Sequence, residues 1–298
     1  MLIKKVLKLL LPPIFIKIRN ILSFIVFNMN KHDGVVSTIS QLPKTSESLI
    51  IIGNGPSFNV SIKKYKNQIC LYNSIVVNHF CETEYYRELK PKFYLLADPA
   101  YFGDIDSYAD WMKNRVIKFI AKLIDNTNWN ICLIMPSSAQ NSYFCEQIKK
   151  NPFITPFYYN NFDLVRYDEN NKFNLWDKNL LRVPSQTCLN TCLWLGIYLR
   201  YKKIYLIGAD TTWIENLHVD QKTNEVYTID THFYGEEKQY LYKDAAKKVP
   251  IKLHEELFSN YNALKLYWEL KEYANYAKVD VYNASEYSLI DSFERKSI

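Results

Sequence analysis

The sequence predicts an α/β fold: a Rossmann-like, mostly parallel sheet with helices on both faces. Short apolar runs recur along the chain, and most of them end on Asn, Asp or Pro before a stretch typical of helix or loop. The first run, residues 49–52, has four consecutive aliphatic residues, as expected of a strand buried on both faces. It leads into Gly-Asn-Gly-Pro-Ser at 53–57, a turn suited to nucleotide binding at the carboxyl edge of such a sheet.

The turn at 53–57 has the composition of a ligand-binding loop. Its two glycines allow positive φ and close approach of the backbone to a ligand. Pro56 fixes the turn, and Ser57 can cap a following helix. The motif is neither GxGxxG nor GxxxxGK[ST], so the usual dinucleotide and P-loop fingerprints are excluded. An ordinary tight turn after a strand is the alternative.

Further strands are predicted, in order, at 68–73, 92–98, 129–136, 203–210 and 279–283. Helices are predicted at 187–201 and 254–277. Between them, residues 211–249 are polar and aromatic with little periodicity, which is typical of a flexible lid or substrate loop. The predicted catalytic or binding domain therefore covers 48–298, with the lid at about 211–249.

The first 28 residues are apolar and basic and contain no acidic residue. Lysines, an arginine and the Pro12-Pro13 pair interrupt the apolar runs before any reaches the ~20 residues needed to cross a bilayer. We expect this segment to lie on an anionic membrane surface, peripheral on the inner face of the cell membrane. A helix packed on the domain or on a partner subunit is the alternative. The polar residues 29–47 are predicted to be a linker.

Composition excludes several classes of protein. A 298-residue chain with 48% hydrophobic residues can form one large domain, alone or with a smaller lid. The net charge of +6 is modest and spread along the chain, so it favours an anionic substrate or membrane over nucleic acid. The six cysteines show no CxxC spacing, which favours a reduced cytoplasmic compartment and no structural zinc.

One histidine is a candidate for chemistry. His232 lies in Asp-Thr-His-Phe-Tyr-Gly at 230–235, and a neutral imidazole there could accept a proton from an alcohol near pH 7. A loop histidine without function is the alternative. The sequence has no GxSxG or HExxH motif, and Asp210-Thr-Thr is not the Asp-x-Asp metal motif of many sugar-nucleotide transferases, so a serine hydrolase and metal chemistry have little support, and no metal site is expected.

Five segments together resemble the bacterial sialyltransferases of glycosyltransferase family 42, the Campylobacter-type enzymes. They also resemble the related central domain of the flagellar motility-associated glycosyltransferases. The matching segments are 51–57, 72–73, 93–99, 201–210 and 231–235. The resemblance implies a GT-A-like variant of the α/β fold with a flexible lid. It also implies inverting transfer of sialic acid from a CMP-linked donor, without a metal or other cofactor.

The resemblance also implies roles for individual residues. His232 matches the general base, Asn73 a polar residue near the donor phosphate and sugar, and Tyr227 stands in for tyrosines that stabilise the leaving phosphate. Because the family has asparagine at the position of Asp98, this carboxylate could instead face the acceptor. Donor contacts are implied for Gly53, Asn54, Gly55, Pro56, Ser57, Asp98, Ser185, Gln186, Thr187, Gly208, Asp210 and Trp213.

The leading hypothesis is a metal-independent inverting glycosyltransferase that acts in surface-polysaccharide or lipooligosaccharide synthesis. It would move sialic acid, or a related nonulosonic acid, from a CMP-sugar to a glycan or lipid-linked glycan. Members of the family often form homo-oligomers. Two alternatives stay open: another CMP-linked acidic sugar as donor, such as Kdo, pseudaminic or legionaminic acid, and a non-catalytic protein that binds a nucleotide or glycan.

Overall fold

The computed structural model describes Ile18 and residues 39–161, 169–183, 186–243 and 249–298. The strands are β1 (Ser48–Ile52), β2 (Asn73–Val77), β3 (Phe93–Leu95), β4 (Ile131–Pro136), β5 (Ile154–Tyr159), β6 (Lys203–Ile207), β7 (Leu217–Val219), β8 (Val226–His232), β9 (Gly235–Tyr240), β10 (Asp280–Asn283) and β11 (Glu294–Arg295). The helices are α1 (Phe58–Leu71), α2 (Glu84–Leu89), α3 (Asp110–Asn126), α4 (Tyr143–Ile148), α5 (Lys172–Asp177), α6 (Cys188–Tyr198) and α7 (Leu253–Ala277).

Eight strands form the central sheet, in the order β11-β10-β6-β1-β2-β3-β4-β5. Every pairing within it is parallel. The strand order reverses between β1 and β6, and in open α/β sheets ligands bind outside the carboxyl ends of the strands at such a point. The predicted α/β fold class is therefore confirmed.

The sheet separates two apolar cores, as the alternation of side chains along a strand requires. Leu49 and Ile51 of β1 face one core, which contains residues of α6 and α7. Ile50 and Ile52 face the other, which contains residues of α1 and α3. Each buried aliphatic side chain contributes about 1.5–3 kcal/mol. Burial on both faces thus explains why β1 is apolar at consecutive positions.

The strand predicted at 68–73 is wrong in its placement. Residues up to Leu71 belong to α1, whose buried Phe58, Ile62, Tyr65 and Ile69 follow the helical period. The strand is the next segment, Asn73–Val77, which includes three β-branched residues. This shift moves Asn73 to the amino end of β2, and Asn78 follows the carboxyl end.

Two strands of the central sheet, β5 and β11, were not predicted. In β5 the apolar run is interrupted by Thr155 and Pro156, and proline is tolerated because β5 lies at the edge of the sheet. The predicted helices at 187–201 and 254–277 correspond to α6 and α7.

The region predicted as a lid contains a second sheet, with the antiparallel order β7-β8-β9. Strands β8 and β9 are joined at the pair His232 and Gly235, so Phe233 and Tyr234 form a two-residue hairpin loop. We call residues 232–235 the hairpin tip. The sequence of β8, Val-Tyr-Thr-Ile-Asp-Thr-His, has partly buried positions on both faces, which explains why it shows no clear apolar period.

The predicted membrane-associating segment at 1–28, apart from Ile18, lies outside the described residues, as does the first part of the predicted linker. Its later part is described: Ile39 and Leu42 are buried in the apolar core. Within the described ranges, no helix combines the length and apolarity that crossing a bilayer requires.

Candidate functional site

A cavity of about 590 Å³, here called the main cleft, lies at the carboxyl ends of β2 to β5. The start of α6, the flank of α7 and the hairpin tip complete its walls. A second cavity of about 120 Å³, the small cavity, adjoins it beside the turns that follow β1 and β6. The residues lining both are Asn78, Thr187, Cys188, Trp213, Asp230 and His232.

His232 and Asp230 form a hydrogen-bonded pair where the two cavities meet. They are two residues apart on β8, so their side chains lie on the same face of the strand. His232 Nε2 is 3.1 Å from Asp230 Oδ2, and both side chains are about one-third exposed. When the proton on Nε2 is directed to this carboxylate, Nδ1 keeps the lone pair. The arrangement suits a general base oriented by an acid.

Phe233 fixes the hairpin tip to the body of the domain. Its backbone N–H donates to the Asn54 carbonyl oxygen at 2.9 Å. Its ring packs against Phe58, Phe80 and Tyr85, with centroid distances of 4.7, 5.8 and 6.0 Å. Because His232 and Tyr234 flank this anchor, their rings are held at the cleft, where they stack on each other at 4.9 Å.

The glycine turn uses its backbone donors within the protein. Gly53 N–H donates to the Ile207 carbonyl at 2.8 Å, and Gly55 N–H donates to the Gly208 carbonyl at 2.9 Å. A Cβ on Gly53 would lie 2.3 Å from the Gly208 oxygen, so glycine is required by the approach of two chain segments. The expectation that these N–H groups face a ligand is therefore wrong. Asn54 and Gly55 line the small cavity, whereas Gly53, Pro56 and Ser57 line neither cavity.

Asp210 occupies the amino end of α1. Its Oδ2 accepts from the Ser57 backbone N–H at 2.8 Å, and its Oδ1 accepts from the Ser57 hydroxyl. The N-terminus of a helix is a common phosphate site, but here a carboxylate of the protein fills that position. Burial raises the pKa of Asp210, and the two hydrogen bonds from Ser57 oppose the rise. Asp210 also lines the small cavity, as does Gly208.

Asn54 presents an unsatisfied acceptor. Its Nδ2 donates to the Val77 carbonyl at 3.3 Å, but its buried Oδ1 has no hydrogen-bond partner. A buried unpaired acceptor costs about 1–3 kcal/mol, so a ligand donor in the small cavity would be favoured there.

Tyr234 is a neutral donor at pH 7. Partial burial, and then the charges of Asp230 and Glu82, raise the pKa of its hydroxyl to about 12. Tyr234 also lines the main cleft. It can therefore donate a hydrogen bond to an anionic group bound beside His232.

Charges of both signs line the main cleft. Arg115 of α3 and Arg182 supply the positive charges, and Arg115 Nη2 lies 3.5 Å from His79 Nε2. Asp98 and Glu256 are also on the wall. Asp98 caps a short turn, because its Oδ1 accepts from the Ala100 N–H at 2.9 Å.

Three further predicted donor contacts also line the main cleft: Gln186, Thr187 and Trp213. Thr187 caps α6, since its Oγ1 accepts from the Asn190 N–H at 3.2 Å. Ser185 lies outside the described residues.

Asn73 is not in the site, contrary to prediction. It lies at the amino end of β2, the opposite edge of the sheet. Its Oδ1 accepts from the N–H groups of Thr45 and Ser46, both at 3.1 Å, and from the Tyr201 hydroxyl at 2.8 Å. All these contacts join parts of the protein, so Asn73 has a structural role.

Tyr227 is also outside the site. It is five residues from His232 on the same strand, so the two side chains lie on opposite faces. Its ring stacks on His218 at 5.2 Å, and Lys238 Nζ lies 3.9 Å from its centroid. Tyr234 is the tyrosine that lines the main cleft beside His232.

The sequence prediction missed several residues that line the main cleft, among them Asn78, His79, Arg115, Arg182, Asp230 and Tyr234. Asn78 follows the carboxyl end of β2 with a φ of 52°, and its Oδ1 accepts from the Cys188 thiol at 3.1 Å. A correct boundary for β2 would have revealed Asn78 and His79. Arg115, in the middle of α3, carries no local signal of its role.

Across the ranges that the structure describes, no group of three or more His, Cys, Asp or Glu side chains is placed to hold a metal ion. All six cysteines, which lie in those ranges, are free thiols.

Comparison with known proteins supports the fold. No protein-family model matches the chain, and no curated protein matches it. Among solved structures it is similar to the MAf glycosyltransferase from Magnetospirillum magneticum AMB-1, with a TM-score of 0.50 and 14% identity over 85% of this chain. The match covers 34% of the MAf chain. At this identity the similarity shows a shared fold.

Proposed function

We propose that this protein is a glycosyltransferase that moves a sugar from an anionic nucleotide donor to a hydroxyl group of a glycan. The observation that carries the proposal is the His232–Asp230 pair at the junction of the two cavities. One cavity would hold the nucleotide and the other the transferred sugar, with the acceptor hydroxyl beside His232. The shared fold with a glycosyltransferase gives independent support.

In the proposed reaction His232 accepts the proton of the acceptor hydroxyl. The hydroxyl oxygen forms a bond to the anomeric carbon while the bond from that carbon to the phosphate oxygen breaks, and the nucleotide leaves with the electron pair. Attack from the face opposite the phosphate inverts the configuration. Asp230 stabilises the imidazolium that forms. General-base assistance of this kind contributes about 10²–10⁴-fold to the rate.

The walls of the site suit a donor with more than one anionic group. Arg115 and Arg182 would interact with the phosphate and a sugar carboxylate, and the Tyr234 hydroxyl would donate to the leaving phosphate. Asn54 Oδ1 would accept from a ribose hydroxyl or a base amino group. The resemblance of the motifs to family 42 points to CMP-linked sialic acid or another CMP-linked acidic sugar, used without a metal.

The same hypothesis predicts the acceptor and the location of the protein in the cell. A lipid-linked glycan would be presented at the inner face of the cell membrane, where the basic apolar segment 1–28 would bind anionic lipid. Deletion of 1–28 should then release the protein from phosphatidylglycerol-rich vesicles in a sedimentation assay. Continued sedimentation of the shortened protein with the vesicles would contradict this.

A donor panel tests the proposal. CMP-sialic acid, CMP-Kdo, CMP-pseudaminic acid and UDP-sugars are each offered with EDTA, and release of the nucleotide is measured. We expect hydrolysis or transfer from a CMP-sugar only. Turnover of a UDP-sugar alone would overturn the choice of donor. Binding of CMP without turnover of any donor would favour the non-catalytic alternative.

A further inference from the structure

A third cavity, of about 470 Å³, lies beside the hairpin tip. We call it the side cavity. Its size is within the range of about 300–1,000 Å³ that small-molecule sites span. It is lined by Asn59, His79, Glu82, Thr83, Glu84, Tyr85, Phe233 and Tyr234. Apart from Tyr234, none of these residues has a role in the function proposed above, so most of the side cavity is unassigned.

The side cavity shares His79 and Tyr234 with the main cleft. Tyr234 stacks on the proposed base His232 with a centroid distance of 4.9 Å. A ligand bound against the Tyr234 ring therefore lies close to the proposed reacting centre. His79 is fixed from both ring nitrogens: Nδ1 lies 2.7 Å from Glu82 Oε1, and Nε2 lies 2.9 Å from the Tyr101 hydroxyl. These two hydrogen bonds hold the His79 ring in one orientation at the boundary between the two cavities.

The two cavities differ in charge. The main cleft carries both signs, with Arg115 and Arg182 beside Asp98, Asp230 and Glu256. The side cavity has Glu82 and Glu84, and no Lys or Arg is among the described residues that line it. Carboxylates favour hydroxyl and ammonium groups as donors and repel a second carboxylate. The rings of Tyr85 and Tyr234 supply the flat apolar faces on which a sugar ring can pack.

From these observations we propose that the side cavity is the acceptor subsite, and that it takes an uncharged or amino-bearing sugar in preference to an acidic one. This inference rests on the proposed function. It gives the enzyme an acidic donor on one side of Tyr234 and a non-acidic acceptor on the other. A first acidic sugar would therefore be added to a neutral glycan, and the product would be a poor acceptor for a second.

The test measures binding of three probes to the full chain by saturation-transfer NMR and calorimetry. The probes are lactose, methyl β-galactosaminide and sialyllactose. The wild type should bind the first two and bind sialyllactose at least about threefold more weakly. Glu84→Lys should reduce this preference by about threefold or more.

Glu88→Lys is the matched control, because it makes the same charge change on the same helix. Glu88 pairs with Lys66 and does not line the side cavity. Equal or tighter binding of sialyllactose by the wild type, equal effects of the two variants, or no binding of any probe by a protein that hydrolyses a CMP-sugar would each overturn the subsite. The predicted binding pattern without turnover of any donor would support the subsite and contradict the proposed function.

Discussion

The glycine turn at 53–57 and the hairpin tip at 232–235 lie together at the same edge of the sheet, yet they differ in how they use their polar groups. In the glycine turn the N–H groups of Gly53, Gly55 and Ser57 are all bonded within the protein. At the hairpin tip, His232 and Tyr234 line the main cleft, and His232 Nε2 pairs with Asp230. The backbone hydrogen bond from Phe233 to Asn54 joins the two.

This difference indicates that a glycine-rich turn after a strand does not by itself identify a phosphate site. Here glycine is needed because two turns, after β1 and β6, approach each other closely. We propose that the glycine turn supports the site and that the hairpin tip carries the chemistry. This distinction can be tested with variants whose stability and turnover are measured separately.

Among variants that leave the proposed base in place, Phe233→Ala should have the largest effect on turnover. The substitution removes the packing against Phe58, Phe80 and Tyr85 that positions the hairpin tip. Misplacement of a catalytic group by about 1 Å can cost about 100-fold, so we expect a decrease of that size in kcat/KM for the CMP-sugar. Phe153→Ala, at an exposed phenylalanine, is the control. A kcat/KM within twofold of wild type would show that the tip does not depend on this anchor.

Gly53→Ala should act on stability. Its Cβ would lie 2.3 Å from the Gly208 carbonyl oxygen, a backbone atom that cannot move independently. We expect the free energy of unfolding to fall by about 1–3 kcal/mol, as for other overpacked sites. Urea denaturation measures this directly. An unchanged midpoint would mean that the contact between the two turns is not required.

Tyr234→Phe and Tyr227→Phe form a matched pair. Each removes one hydroxyl, but only Tyr234 lines the main cleft. Loss of a hydrogen bond to a charged group costs about 1.5 kcal/mol or more, so kcat/KM should fall about tenfold for Tyr234→Phe. We expect Tyr227→Phe to stay within about twofold of wild type. A larger loss of kcat/KM for Tyr227→Phe than for Tyr234→Phe in the same steady-state assay would support Tyr227 as the residue that stabilises the leaving phosphate.

Asp210→Asn should produce a small effect that depends on pH. Burial raises the pKa of Asp210 in the folded protein, so the folded state holds this proton more tightly than the unfolded chain does. The contribution of Asp210 to stability is complete below the unfolded pKa of about 3.9, and is lost as pH rises through the folded pKa. The free energy of unfolding of wild type relative to the variant should therefore fall across this window. A relative stability that rises there would contradict the assignment.

The sequence was sufficient for the fold class, because buried parallel strands and amphipathic helices are local patterns. The segment 230–235 also suggested His232, and the structure adds its partner Asp230 from the same strand. Local patterns could not show that the Ser57 N–H of the glycine turn donates to Asp210, because the two residues are 153 positions apart. Asn73 failed for another reason: the apolar end of α1 was taken for a strand, which placed the predicted strand end at Asn73 instead of at Val77.

The central claim is that the glycine turn supports the site and His232 performs the chemistry. It is tested most directly by measuring CMP affinity and CMP-sialic acid hydrolysis on the same preparation of His232→Ala. The account predicts a CMP Kd within about threefold of wild type and a loss of hydrolysis of about 10²-fold or more. His218→Ala, which alters a histidine stacked on Tyr227, should leave both unchanged. Hydrolysis by His232→Ala at the rate of the wild type would contradict the claim.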